Sequence, residues 1–133
     1  MINEGYSIPG QTGSGCRSGC REVIVYKDYF ESFLSRQKPE VQRKILQILN
    51  IVEIMERIPQ NYLKQIEDTK GLYELRIVFG GNSLRVFCFF ESGKVIVLLG
   101  GFEKKTRKTP QKEIDKALRL MKEYKEEANN KHQ

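Results

Sequence analysis

The stretch Leu72-Tyr-Glu-Leu-Arg-Ile-Val-Phe79, followed by Gly80-Gly-Asn82 and then Ser83-Leu-Arg-Val-Phe-Cys-Phe-Phe90, decides the fold. Both long runs are rich in β-branched and aromatic residues, and a glycine-containing turn signal separates them. Side chains on a strand alternate between its two faces, so the first run has one apolar face and one face that carries Glu74 and Arg76. The two runs therefore predict an antiparallel hairpin.

The same alternation predicts the register of this hairpin. The apolar sets share a face if the loop has two or four residues, and a two-residue loop at Gly80-Gly81 places Arg76 directly opposite Arg85. Facing like charges destabilise a hairpin by up to about 1 kcal/mol unless a carboxylate or another anion lies between them. Glu74 is a candidate internal partner; in the alternative, both arginines are solvated or paired with Glu74 and Glu91. We expect neither arginine to be buried. The predicted apolar sets are Tyr73, Leu75, Ile77 and Phe79 on one strand and Leu84, Val86, Cys88 and Phe90 on the other.

Helical periodicity precedes this hairpin in the sequence. Residues 22–26 form a short β-branched run, and Asp28 stands where a helix cap belongs, before apolar residues at helical spacing. A second helix is predicted to begin at Pro39 and to end before Pro59. The two helices are predicted to form an antiparallel hairpin. The apolar face of the second one comprises Val41, Ile45, Ile48, Leu49, Val52 and Met55.

A third strand at residues 94–99 completes a meander, and Thr109 then caps a final helix whose first residue is Pro110. The order β-α-α-β-β-β-α predicts an α+β domain, in which helices cover one face of a small antiparallel sheet. We place this domain at residues 21–127, between a flexible N-terminal extension at residues 1–20 and a flexible tail at residues 128–133.

Composition narrows the range of partners. The chain has 133 residues, a net charge of +6 and a pI near 9.3, which favours a polyanionic partner. No apolar run is long enough for a membrane helix.

The cysteine and histidine content indicates the compartment and the absence of a metal site. The three cysteines, Cys16, Cys20 and Cys88, do not form a disulfide framework, so we expect a cytoplasmic protein with Cys88 in the core. The single histidine, His132, lies in the tail, and we expect no metal site and no cofactor.

A cationic loop follows the third strand. Lys104, Lys105, Arg107 and Lys108 surround one acid, Glu103, and this mutual repulsion indicates that an anion belongs there. We expect the loop to reach the same surface as the two strand arginines.

Three phenylalanines on that surface offer rings on which RNA bases can stack. These are Phe87, Phe89 and Phe102. In the alternative, Phe87 and Phe89 instead cover the sheet or fill a second small core.

Residues 21–127 contain no histidine and no cluster of acidic residues, which excludes a histidine acid/base pair and disfavours metal-dependent hydrolysis. Cleavage of RNA at this surface would have to rely on cations. Arginine or lysine can stabilise a pentacovalent phosphorane, and a lysine whose pKa is lowered by neighbouring cations can act as base or acid.

Residues 62–64 leading to 71–76, then 84–90 and 98–110, together resemble the RelE/HigB superfamily of bacterial toxins, in its phage-derived Gp49-like HigB branch. The resemblance covers residues 21 to about 126. It implies a RelE-like fold and a ribosome-dependent mRNA endonuclease of a type II toxin-antitoxin system. Such a toxin cuts mRNA in the ribosomal A site by attack of a 2′-hydroxyl, and a helix-turn-helix antitoxin silences it in a toxin-antitoxin complex.

The resemblance also implies roles for individual residues. Arg76 and Arg85 correspond to strand arginines that contact the scissile phosphate, and Lys104, Lys105 and Lys108 to loop lysines for charge stabilisation and proton transfer. Lys64 is expected to contact RNA, and we add Phe102 and Arg107 to the predicted RNA-binding set. Arg107 stands where the family often has a neutral polar residue, and the identity of the general base and of the general acid stays open.

Two other functions compete with this one: a non-catalytic RNA- or DNA-binding module, and a regulatory remnant of a prophage locus.

Overall fold

A five-stranded sheet and three helices form the fold in a computed structural model, which describes residues 21–131. The mixed α+β class is as predicted, and residues 1–20, with Cys16 and Cys20, and residues 132 and 133 lie outside the described part. The elements are β1 (Glu22–Val25), α1 (Tyr29–Ser35), α2 (Pro39–Ile54), β2 (Leu63–Gln65), β3 (Leu72–Phe79), β4 (Asn82–Ser92), β5 (Val95–Glu103) and α3 (Gln111–Lys131). The short strand β2 was not predicted, and the antiparallel arrangement of α1 and α2 stays a prediction.

The β3–β4 hairpin has the predicted register. Phe79 pairs with Asn82 across a two-residue loop, and Arg76 lies directly opposite Arg85. Gly80 and Gly81 have φ angles of 56° and 86°, a left-handed conformation that glycine adopts without a steric penalty. The loop therefore sets the pairing of every residue along the two strands.

The prediction of a purely antiparallel sheet is wrong. The strand order is β1-β5-β4-β3-β2, and β1 pairs with β5 in parallel, from Glu22 opposite Val95 to Val25 opposite Leu98. A parallel pair needs a long connection, and here most of the domain lies between the two strands in sequence. The first strand thus takes the edge of β5 that β4 leaves open.

The prediction that helices cover one face is also wrong, because each face of the sheet carries its own core. Apolar residues of α1 and α2 pack on the face of Leu75 and Val86, whereas α3 packs on the opposite face. Phe87 and Phe89 are 4% and 2% exposed in this second core, so their alternative role as core residues is confirmed and they offer no surface for RNA bases. Cys88 is a buried core residue, as predicted.

Three further predictions are wrong for residues at the ends of helices or strands. Phe79 is 38% exposed because it lies at the hairpin tip. Met55 is equally exposed because it follows the end of α2 at Ile54. The Arg21 guanidinium donates to the carbonyl oxygens of Val52, Met55 and Glu56 around this helix end. The third helix begins at Gln111, after Pro110, so Thr109 is not its cap residue.

A one-residue bulge in β5 reverses the alternation of its side chains. Phe87 lies opposite Gly100 and Cys88 opposite Leu98, so Leu99 is the extra residue. Beyond it, Phe102 lies on the α3 face instead of the face of Leu98. After the bulge, the side chains at the end of β5 that would face α1 and α2 therefore face α3 instead.

Two tyrosines attach the C-terminal half of α3 to the sheet. The Tyr26 hydroxyl donates to a Glu127 carboxylate oxygen at 2.8 Å, and the Tyr124 hydroxyl donates to Glu91 at 2.9 Å. Burial and these carboxylates raise the pKa of each tyrosine to about 12, which keeps both hydroxyls protonated as donors. The helix continues to Lys131, past the predicted domain boundary at residue 127. Within residues 21–131, no helix is long and apolar enough to cross a membrane.

Leu75→Asp should destabilise the protein by more than about 3 kcal/mol, because it places an unpaired charge at a fully buried position. Val78→Asp is the matched control on the same strand, since Val78 is 64% exposed, and it should change stability by about 0.5 kcal/mol or less. Urea denaturation measures both. Equal stability of the two variants would contradict the assignment of Leu75 to the core.

Candidate functional site

Charged side chains from three strands, and from the residue that follows a fourth, gather on the α3 face of the sheet. Arg76 and Arg85 face each other across β3 and β4, and Lys64 pairs with Glu74 across β2 and β3. Residues directly opposite each other in a sheet point to the same face. Lys104, just after β5, completes the group, and its backbone N–H donates to the Ser83 carbonyl at 2.7 Å. We call Lys64, Glu74, Arg76, Arg85 and Lys104 together the cationic cluster.

A buried ion pair lies at the base of the cationic cluster. Arg85 Nε lies 3.4 Å from Glu74 Oε1, and each residue is 5% exposed. Arg85 Nη1 also donates to the Ser83 hydroxyl at 2.8 Å and to the Leu84 carbonyl at 3.1 Å. Thr109 Oγ1 donates to Glu74 Oε1 at 3.1 Å. The pair is therefore held by neutral hydrogen-bonding groups on both sides.

The expectation that neither arginine is buried is wrong for Arg85, while Arg76 is half-buried. Glu74 is the internal partner, as one of the two interpretations predicted. Burial lowers the pKa of Arg85, and Arg76 lowers it further, whereas Glu74 opposes this change. The side chain remains a cation, but one fixed by its neighbours.

Two members of this arrangement were missed by sequence reasoning. Ser83 lies two residues before Arg85 on the same strand face, and this spacing was a usable signal. For Thr109 the sequence predicts a helix cap instead, because a threonine before a proline is typical of a helix start. Only the packing of α3 on the sheet brings its hydroxyl to Glu74.

Lys104 is the half-buried lysine of the cationic cluster. Its pKa is lowered, first by burial and then by the charges of Arg85, Arg76 and Lys64, while Glu74 acts in the opposite direction. A lysine of this kind is neutral in a larger fraction of molecules than a solvated lysine at the same pH, so it can accept a proton more readily.

The remaining loop cations are exposed. Lys105, Arg107 and Lys108 make no side-chain hydrogen bond or ion pair with any residue from 21 to 131, and the Thr106 hydroxyl donates to the Lys108 carbonyl at 2.7 Å. Exposed, unpaired cations of this kind are suited to contact phosphates.

Phe102 is half-buried opposite Arg85, with its ring stacked on Phe87 at 5.5 Å between centroids and 22° between planes. Of the three phenylalanines predicted to stack on bases, it is the one that is not fully covered.

The arrangement combines fixed and accessible cations on one surface. Such a surface can bind a phosphodiester and stabilise negative charge that develops on it, and Lys104 adds a group able to exchange a proton. Among residues 21–131, no three His, Cys, Asp or Glu side chains are placed to hold a metal ion. Burial raises the pKa of the Cys88 thiol, which makes this thiol a poor nucleophile.

Glu74→Gln should destabilise the protein by about 3 kcal/mol, because it leaves the buried Arg85 cation without a counter-charge. The double variant Glu74→Leu with Arg85→Met is the control and should recover most of this loss, since it buries no charge. Chemical denaturation measures both variants. Wild-type stability of Glu74→Gln would show that the ion pair is not required.

Lys104→Met should raise the melting temperature at pH 7. A pKa lowered by folding means that protonated Lys104 destabilises the folded state below that pKa, and the penalty disappears as pH rises toward the ordinary pKa of lysine in the unfolded state. The advantage of the variant should therefore shrink by pH 10. Lys105→Met, at an exposed position, is the control and should leave the melting temperature unchanged at both pH values. A lower melting temperature of Lys104→Met at pH 7 would contradict this assignment.

Comparison with known proteins adds a family to this geometry. Residues 32–122 match the model of the family described as "Phage derived protein Gp49-like (DUF891)", a range that includes every member of the cationic cluster. No curated protein matches the chain significantly. The match confirms the phage-derived, Gp49-like part of the resemblance, and this family is associated with toxin-like proteins of the RelE/HigB type. Because it covers more than half of the chain, the protein belongs to the phage-derived Gp49-like family.

Proposed function

We propose that this protein is a toxin of a type II toxin-antitoxin system, acting as a metal-independent endoribonuclease on mRNA in the ribosomal A site. The observation that carries the proposal is the cationic cluster, in which Arg76, Arg85 and a lysine of lowered pKa meet on one face of the sheet. Membership of a family associated with toxin-like proteins supports it.

The proposed step is a transesterification within the RNA. The 2′-oxygen attacks the adjacent phosphorus and forms a new P–O bond, the bond from phosphorus to the 5′-oxygen breaks, and a 2′,3′-cyclic phosphate and a 5′-hydroxyl result. The 2′-hydroxyl proton passes to a base, and another proton reaches the departing 5′-oxygen. Neutral Lys104 is the candidate base, and protonated Lys105 is the candidate donor to the leaving oxygen.

The two arginines have different roles in this proposal. Arg76, which is half-buried, contacts the scissile phosphate and stabilises the phosphorane charge. Arg85 is enclosed by Glu74 and Ser83, so it acts through the field of a fixed charge and by lowering the pKa of Lys104. We therefore treat Arg85 as a positioning residue.

The surrounding residues supply RNA affinity. Exposed Lys64, Arg107 and Lys108 contact RNA phosphates, and Phe102 offers the edge of its stacked ring to a base. Alignment of the 2′-oxygen with the phosphate comes from the ribosome, because the cationic cluster alone offers charge and few orienting groups. The partners are accordingly the ribosome with mRNA and a helix-turn-helix antitoxin, and no cofactor is needed.

A non-catalytic RNA-binding module is the second candidate. The burial of Arg85 and its pairing with Glu74 favour it, because a charge neutralised inside the fold contributes less to a transition state than an open one. The two candidates differ in whether a P–O bond breaks.

Purified protein should cut mRNA on programmed ribosomes, leave the same RNA largely intact without ribosomes, and generate 5′-hydroxyl ends. Lys104→Ala should lower the cleavage rate about 100-fold or more with little change in ribosome binding, since its contribution is to proton transfer. Lys94→Ala, in the exposed turn before β5, removes the same charge elsewhere and should keep full activity. Primer extension and ribosome co-sedimentation measure the two properties.

Ribosome binding without cleavage by the wild type would favour the non-catalytic module. Efficient cutting of naked RNA, or full activity of a variant that combines Lys104→Ala and Lys105→Ala, would contradict the proposed mechanism.

A further inference from the structure

A separate cavity of about 140 Å³ opens between α1, β5 and α3. Its floor is apolar, formed by Phe87, Leu99 and Leu120, with the backbone of Gly100 beside them. A Cβ atom at Gly100 would lie 3.4 Å from the Cβ of Tyr29, so glycine keeps the space next to α1 open. A cavity of about 150 Å³ in a protein core is known to hold one benzene ring, and this one accordingly has room for a single ring.

Polar side chains surround this floor. Ser32 lies on α1 and Arg36 is the cap residue directly after this helix, and Glu113 and Lys116 come from the first turns of α3. None of these four side chains makes a hydrogen bond or ion pair with a residue in the range 21–131, although Glu113 and Lys116 are only three positions apart on one helix. Two cations, a carboxylate and a hydroxyl thus surround an open, ring-sized space and have no partner among the described residues.

We propose that this cavity binds a purine nucleotide, with the six-membered ring of the base between α1 and α3, the fused five-membered ring at the open mouth of the cavity, and the phosphate on Arg36 and Lys116. The proposal concerns a second site, and it does not depend on cleavage at the cationic cluster. Tyr29, which is half-buried, lines the cavity and provides the aromatic wall against which an unstacked base is held. Arg36, directly after α1, and Lys116 on α3 supply positive charge for the phosphate.

Glu113 makes guanine the preferred base. A carboxylate accepts hydrogen bonds and donates none, and guanine presents two adjacent donors, N1–H and the N2 amino group, on its Watson–Crick edge. Adenine places an unprotonated N1 at that edge, which would face the carboxylate lone pairs. A bidentate contact of this type discriminates between bases by about tenfold or more.

A nucleotide fits better than an apolar side chain from a partner protein. Such a side chain would fill the floor but would leave the charged groups of both helices desolvated and unpaired. A nucleotide covers the apolar floor and also pairs with the charged groups. The net charge of +6 favours a ligand with a phosphate.

The test is an NMR titration of the full chain with GMP, AMP, inorganic phosphate and N-acetylphenylalanine, each up to millimolar concentration. GMP should shift the amide signals of Tyr29, Gly100 and Gly101 saturably, and AMP should bind about tenfold more weakly. Glu113→Gln should weaken GMP about tenfold and abolish the preference over AMP. Glu126→Gln, an exposed position later on α3, is the matched control and should behave as the wild type.

Arg36→Gln provides a second readout. It should weaken GMP while leaving guanosine, which has no phosphate, unchanged. Each of four results would overturn the proposal: equal shifts with phosphate alone, equal affinity for GMP and AMP, N-acetylphenylalanine binding as tightly as GMP, or GMP shifts confined to the cationic cluster. The third result would assign the cavity to a protein partner. Ribosomal cleavage is not measured in this titration, so its outcome is independent of the endonuclease proposal.

Discussion

Strand β4 is buried on both faces, and the rest of the structure depends on this constraint. Every residue from Leu84 to Phe89 is buried, so apolar layers are required above and below the sheet. The helices α1 and α2 supply one layer and α3 supplies the other. Hydrophobic burial of this extent is the dominant stabilising contribution in a domain of this size.

The same constraint places a charge inside the fold. Arg85 lies within the buried run of β4, where an unpaired guanidinium would be strongly destabilising. Glu74 on β3, together with Ser83 and Thr109, makes the position tolerable. A buried charge held in this way has a fixed orientation, and it acts on Lys104, whose pKa it lowers. The stability of the sheet and the chemistry of its surface are therefore coupled through one ion pair.

The cationic cluster holds like charges close together, which is destabilising by itself. Its half-buried lysine and facing arginines repel one another, and the fold keeps them together through the β3–β4 register and the end of β5. The cavity between α1 and α3 has a comparable character, because its polar groups lack partners within the described residues. Phe87 belongs to the second core and also lines this cavity.

The sequence by itself determined the β3–β4 hairpin, including the position of Arg76 opposite Arg85, because the period of side-chain alternation and the two glycines leave one register that joins the apolar sets. It also determined the α+β class and the cations of the site. Tertiary structure alone decided which face Lys104 joins. Regular alternation from Ile96 and Leu98 would place it on the face of α2, and the bulge at Leu99 reverses this. A bulge depends on how β5 packs between β4, α1 and α3, and long-range packing of this kind leaves no periodic signal in the local sequence.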